Sequence, residues 1–121
     1  NDPEPYYHLS NYYKSFNDYI KAITYMSVAI FKLEEGDYGV YSELGVQDYL
    51  FNLYLQRSKL YNELNINILE CQDLNDALKT ISKYQNFDND ELWSSGIYVK
   101  DGYINEKLDE IKKLISENCG F

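Results

Sequence analysis

The residues of this sequence that could carry out enzyme chemistry do not form a recognised catalytic pattern. His8 is the only histidine among 121 residues, so a mechanism that needs two imidazoles is impossible. No GxSxG, HExxH, P-loop or GxGxxG pattern occurs, and Ser94-Ser95 has no base beside it. Adjacent carboxylates such as Glu34 and Glu35 point in different directions on a helix, which suits a solvated face better than an acid–base pair. The sequence therefore predicts a protein that is not an enzyme and that has no cofactor.

The candidate metal ligands do not form a metal site either. Cys71 and Cys119 are far apart and fit no zinc-binding spacing, so they are either two free thiols or one disulfide that ties down the C-terminus. Residues 100–105 resemble a calcium-binding EF-hand loop around a central glycine. Calcium would need oxygen ligands at the positions that Val99 and Leu108 occupy, so calcium binding is rejected.

The single tryptophan, Trp93, follows an acidic run and precedes two tyrosines. Binding hot spots favour Trp and Tyr, and nearby carboxylates speed the encounter with a basic partner. The candidate partner-binding residues are the acidic and aromatic side chains of this region: Asp88, Asp90, Glu91, Trp93, Tyr98 and Tyr103. The alternative for Trp93 is a core position that seals one end of a helical bundle.

The charge of the chain narrows the class of partner. With 20 acidic and 11 basic residues, the net charge is −9. Nucleic acid and anionic membranes require a basic surface, so neither is expected as a partner, and no apolar run approaches the roughly 20 residues of a membrane span. A basic protein partner fits this charge, and so does a solvated acidic surface that only confers solubility. The 14 tyrosines are explained either by coding bias with half-buried packing or by an interface role.

The length suits a single domain over residues 1–121, with an extended lead over residues 1–7. The chain begins with Asn1-Asp-Pro-Glu-Pro5 rather than with methionine. This beginning favours an exported protein, periplasmic or extracellular, over a cytoplasmic one, and it suits a piece of a longer chain equally.

The spacing of apolar residues predicts four helices. They are expected at residues 8–35, 42–64, 74–84 and 105–118, with Asp73 and Asn105 as the caps of the last two. Residues 97–104 place Asp101-Gly102 between two short β-prone runs, which predicts a β-hairpin. The expected fold is therefore mainly α, with one short β-hairpin as an addition near residues 97–104.

Two segments, residues 17–30 and 72–84, have similar sequences and resemble a repeated helix, with Ala22 and Ala77 at equivalent positions. They are similar to the second helix of tetratricopeptide repeats. The matching positions are Asp18, Tyr19, Ala22, Ile23, Tyr25 and Ala29, and in part Asp73, Leu74, Ala77 and Leu78. The resemblance covers about half of the chain and implies stacked helical hairpins with a concave surface that holds peptides. An ordinary helical bundle explains the same residues, so no binding residues are transferred from the family.

These observations predict an acidic, soluble, non-catalytic protein-interaction module, built as a small helical bundle or as a tetratricopeptide-like array of hairpins. It would act as an adaptor, or as an inhibitor or immunity protein that covers a basic toxin or enzyme. The alternative is a structural or accessory helical segment of a larger secreted or surface assembly.

Overall fold

A computed structural model describes residues 2–36, 43–83 and 102–120 of the chain. Five helices account for most of these residues, and no strand occurs in the three stretches, which confirms the mainly α prediction. The helices are α1 (Glu4–Ser15), α2 (Tyr19–Glu34), α3 (Glu43–Glu63), α4 (Asn67–Ser82) and α5 (Tyr103–Asn118). None of the helices in this part of the chain is both long and apolar enough to cross a bilayer.

The prediction of one helix over residues 8–35 is wrong, because the chain breaks between Ser15 and Tyr19. Asn17 has a φ of 61°, a left-handed conformation that asparagine tolerates better than most residues. The Asp18 carboxylate then accepts a 3.2 Å hydrogen bond from the backbone amide of Lys21 and caps α2. The apolar spacing continues across the break, so spacing alone could not reveal it.

The starts of three helices also differ from the sequence-based expectation. The lead predicted to be extended over residues 1–7 is helical from Glu4, where Pro5 suits the first turn because its φ is already helical. The third predicted helix begins at Asn67 rather than at residue 74, so Asp73 lies inside α4 and does not cap it. Asp73 is buried there against an arginine of α3.

The last helix begins at Tyr103, so Asn105 is not its cap. Gly102 precedes it with a φ of 79°, a conformation that costs glycine little. Residues 103 and 104 are helical, which is incompatible with the second strand of the hairpin predicted over 97–104; its first strand lies outside the described residues.

The pairs α1–α2 and α3–α4 are two helical hairpins with the same turn geometry, 48 residues apart. Asn17 and Asn65 occupy equivalent positions in the two turns, with φ values of 61° and 58°. In each turn the amide that follows the asparagine donates a 3.0 Å hydrogen bond to a tyrosine carbonyl, that of Tyr13 or of Tyr61. The second helix of each hairpin has 16 residues. This repeat is longer than the roughly 34 residues of a tetratricopeptide repeat.

The structural repeat changes the register of the two similar segments. At an offset of 48 residues Ala77 corresponds to Ala29, whereas Ala22 corresponds to Glu70, so pairing Ala22 with Ala77 is two helical turns out of register. All three alanines are nevertheless fully buried, which confirms that positions 22 and 77 are packing positions. At Ala22 the approach of α1 is close, because the Ser10 hydroxyl donates a 2.6 Å hydrogen bond to the Ala22 carbonyl.

The apolar interior consists of two clusters that share α3. The first cluster joins α2 and α3 and is covered by tyrosines of α1; its buried members are Ala22, Met26, Ala29, Ile30, Leu33, Val46, Leu50, Leu53 and Leu60. The second joins α3, α4 and α5 through Phe51, Leu55, Leu74, Ala77, Ile81, Leu108 and Ile111. Helix α3 therefore has apolar residues on two sides and lies between the two layers.

A disulfide bond joins Cys71 to Cys119, with the two Cα atoms 5.7 Å apart. The sequence left open whether these cysteines are free thiols or form a disulfide, and the structure shows the disulfide. The bond fixes the C-terminal end of α5 to the first turns of α4.

Candidate functional site

Both hairpin turns and the C-terminal end of α5 lie at one end of the molecule, here called the turn end. Arg57 and Tyr54 of α3 bond to Ser27 and Glu34 of α2 respectively, so α3 runs antiparallel to α2 and parallel to α1. The Asn118 carbonyl, at the end of α5, accepts a 2.7 Å hydrogen bond from the side chain of Asn67, at the start of α4. Helix α5 is thus antiparallel to α4 and ends beside the second turn.

A pocket of about 300 Å³ opens at the turn end. All five helices contribute to its lining, which consists of Lys14, Tyr19, Ser58, Lys59, Leu60, Asn62, Glu63, Glu70, Leu74, Leu114 and Asn118. Its volume corresponds to roughly ten water molecules and lies at the small end of the range for ligand sites. The pocket therefore has room for one long side chain or for a small molecule.

Glu70 is the most deeply buried charged group of this pocket, with only 4% of its surface exposed. Its Oε2 accepts 3.0 Å hydrogen bonds from the side-chain amides of Asn62 and Asn118, and its Oε1 accepts a 3.4 Å bond from Asn67. These donors come from α3, α5 and α4, so the carboxylate is held from three directions. Amides satisfy its hydrogen bonds but carry no charge. No lysine or arginine within the described ranges forms an ion pair with it.

Large apolar side chains are exposed on both turns beside this pocket. Ile20 and Ile68 occupy equivalent positions of the two hairpins and are 68% and 83% exposed. Phe16, at the first turn, is 66% exposed and its ring packs edge-on against Tyr12, with ring centroids 5.1 Å apart. Large exposed apolar side chains at one end of a molecule are typical of contact sites. We call Phe16, Ile20 and Ile68 the apolar rim.

A second buried polar cluster surrounds Arg57 in the middle of α3. Its Nε and Nη2 donate 2.8 and 2.7 Å hydrogen bonds to the Asp73 carboxylate, and Nη1 donates a 3.0 Å bond to Ser27. The rings of Tyr54 and Tyr61 lie 6.0 and 5.8 Å from its Cζ. Burial acts to lower the pKa of Arg57, but the hydrogen bonds and charge of Asp73 outweigh it, so the pKa is raised and the group stays charged. Every nitrogen of the guanidinium is engaged inside the protein, so this cluster is a structural junction.

Of the candidate partner-binding residues, only Tyr103 lies in the described part of the chain. It is half-buried, its hydroxyl donates a 3.2 Å hydrogen bond to Asp48, and its ring packs against Phe51. Burial, with the nearby Asp48 carboxylate, raises the pKa of Tyr103. Tyr103 thus contacts α3. The remaining candidates lie outside the described residues: Asp88, Asp90, Glu91, Trp93 and Tyr98.

No sequence pattern predicted the pocket around Glu70. Asn62 and Asn118 are 8 and 48 residues from Glu70 along the chain, so no local spacing connects the three. The one local signal was Asn67 followed by Glu70, one turn apart at the start of a helix.

Among residues 2–36, 43–83 and 102–120, no three acidic, histidine or cysteine side chains converge on a point that could hold a metal ion. Comparison with known proteins found no matching family model, no similar curated protein and no similar solved structure, so the site is interpreted from its own geometry.

Proposed function

We propose that this protein is a non-catalytic protein-binding module that holds a basic partner at its turn end. The observation that carries the proposal is the combination found there: an exposed apolar rim beside a pocket whose deepest charged group is a carboxylate. Apolar contact supplies binding energy, and a negative charge selects for a positively charged partner. The net charge of −9 would attract such a partner over a longer distance.

Binding without catalysis is the better explanation of this pocket. Both oxygens of Glu70 accept hydrogen bonds from asparagine amides, which fixes the carboxylate in place. This arrangement supports a recognition role for Glu70.

The tandem hairpins support a tetratricopeptide-like mode of action, in which successive helical pairs offer one continuous surface to a partner. Small size, acidity and a rigid, disulfide-linked body suit an inhibitor or immunity protein that covers a basic toxin or enzyme. We propose this form of the function as the more specific hypothesis.

The test is affinity capture from the native host with three baits: the unchanged chain, the rim variant Ile20→Ser/Ile68→Ser, and the control variant Phe31→Ser. Phe31 is 60% exposed like the rim residues but lies near the opposite end of α2. We expect one basic protein to be captured by the unchanged and control baits and to bind the rim variant about tenfold more weakly in calorimetry, since two apolar contacts are removed.

Equal capture by all three baits would contradict binding at the turn end. Reproducible absence of any basic protein would contradict the proposed function as a whole. Circular dichroism of each bait excludes unfolding as the cause of lost binding; exposed substitutions of this kind rarely destabilise a fold.

A further inference from the structure

We propose that the pocket at the turn end takes a single cationic side chain of the partner, a lysine or an arginine, with its charged head against the Glu70 carboxylate. The inference rests on the proposed function and assigns the group that the pocket recognises.

The charge of Glu70 favours a cation in this pocket. A carboxylate removed from water is costly unless a countercharge or strong hydrogen bonds compensate it. Among the described residues, Glu70 accepts hydrogen bonds from the neutral amides of Asn62, Asn67 and Asn118 and forms no ion pair, so its carboxylate has no countercharge there. A cation that reaches this carboxylate gains attraction beside a buried group, where the same pair is worth more than on an open surface.

The shape of the pocket also suits a lysine or an arginine side chain. Leu60, Leu74 and Leu114, from three different helices, supply apolar wall, while Glu70 supplies the charged floor. Lysine and arginine combine an aliphatic stem with a charged head, and such stems pack on apolar surface. A volume of about 300 Å³ accepts one such side chain but not a folded element.

The pocket is less suited to an anion than to a cation. Lys14 and Lys59 also line the pocket, which alone would suggest an anion. Both lysines are exposed, however, whereas the buried charge is the carboxylate. An anion inside the pocket would therefore lie against Glu70 and be repelled. The exposed carboxylate of Glu63 further offsets the lysines at the mouth.

The experiment is an NMR titration of the full, disulfide-bonded chain that follows the side-chain amide signals of Asn62, Asn67 and Asn118. The probes are N-acetyl-lysine amide, N-acetyl-arginine amide, the neutral N-acetyl-norleucine amide, and spermidine as a free polyamine. We expect saturable shifts with the lysine or arginine probe and at least tenfold weaker binding of the norleucine probe, which has the stem without the charge.

Two variants test the role of the carboxylate. Glu70→Gln should weaken binding of the cationic probe about tenfold, whereas Asp109→Asn, which removes the same charge from an exposed position of α5 outside the pocket lining, should change it less than about twofold. If Glu70→Gln does not fold, the comparison of lysine with norleucine on the unchanged chain decides alone.

Equal binding of lysine and norleucine, no saturable shift, or an unaffected Glu70→Gln variant would overturn the inference. Tenfold tighter binding of spermidine than of either amino-acid probe would also overturn it, because the ligand would then be a free polyamine. These failures leave protein binding through the apolar rim intact, since the capture experiment measures the rim separately. Normal probe binding without a protein partner would instead overturn the proposed function.

Discussion

Arg57 and Asp73 form a two-bonded ion pair between α3 and α4, with N–O distances of 2.8 and 2.7 Å. The same guanidinium bonds to Ser27 of α2, so one side chain connects the first hairpin to the second. The two side chains are only 17% and 3% exposed. Each of these buried charges depends on the other for compensation, because neither group can return to water without moving a helix.

Removal of one member of this pair should therefore be costly. We expect Arg57→Met to lower the free energy of unfolding by about 3–5 kcal/mol, because it leaves the Asp73 carboxylate buried without its countercharge. The double variant Arg57→Met/Asp73→Leu should lose less than the two single variants added together. Urea unfolding monitored by circular dichroism measures all three.

The control for that series is Lys113→Met, which breaks the exposed Lys113–Glu117 pair on α5. Its effect should stay within about 0.5 kcal/mol, because exposed ion pairs contribute little. A similar loss for Arg57→Met and Lys113→Met would show that the buried pair is not a stabilising junction.

The disulfide should contribute substantially to stability. Cys71 and Cys119 are 48 residues apart, so the bond restricts a large loop of the unfolded chain. We expect Cys71→Ser/Cys119→Ser to lose about 2–4 kcal/mol and to increase hydrogen exchange in α5. Guanidinium unfolding with and without dithiothreitol checks this: the reductant should destabilise the unchanged chain and leave the double variant unaffected. Equal stability of the oxidised and reduced chains would contradict the prediction.

The turn asparagines should tolerate glycine and reject β-branched residues. Because Asn65 has a φ of 58°, Asn65→Gly should change stability by less than about 1 kcal/mol, whereas Asn65→Val should lose about 1–2 kcal/mol. Asn17→Val should cost a similar amount if the two turns are equivalent. Asn75→Val, on the exposed side of α4, is the helical control and should cost less than about 0.7 kcal/mol. Thermal unfolding compares the four variants, and a harmless Asn65→Val would contradict the conformation of the turn.

Asp48 should make the protein less stable at neutral pH than in mild acid. Burial raises its pKa, and the hydrogen bond from Tyr103 and the charge of Lys107 only partly oppose this. The folded chain thus binds this proton more tightly than the unfolded chain, whose value is near 3.8, so stability from this group rises as pH falls through the raised pKa toward 3.8. Asp48→Asn, which removes the buried charge, should be more stable than the unchanged chain at pH 7, with the difference shrinking toward pH 4.

Urea midpoints between pH 7 and pH 4 measure that difference. Asp109→Asn, on the exposed side of α5, controls for the loss of one negative charge from an acidic chain. If Asp48→Asn were no more stable than Asp109→Asn at pH 7, burial would not be the cause.

Local sequence patterns were sufficient to predict the bounds of a helix where nearby residues determine them. Helix α3 was predicted over residues 42–64 and extends over Glu43–Glu63, and α5 ends at Asn118 as predicted. The first predicted helix was expected to end at residue 35, and α2 ends at Glu34, two residues before Gly36, whose φ is 79°. Such signals act within one or two turns, so a single sequence contains them.

Contacts between distant residues account for what the sequence could not predict. Phe16 and Ile20 continue the apolar spacing of α1 and α2 but are exposed, because spacing does not distinguish a core-facing side from a contact surface. Asp73 was expected to cap a helix, but its partner is Arg57, which lies 16 residues earlier in the sequence. The pocket depends on the same kind of contact, since Asn62, Glu70 and Asn118 meet only after α3, α4 and α5 have packed.

Because α3 contributes Leu53 to one apolar cluster and Phe51 to the other, the two layers of the described helices share α3. Cutting the chain between α2 and α3 would leave an uncovered apolar side on each fragment. We therefore expect both layers to melt in a single transition and neither fragment to fold after separation. The 48-residue unit thus repeats the geometry of a helical hairpin but does not fold independently.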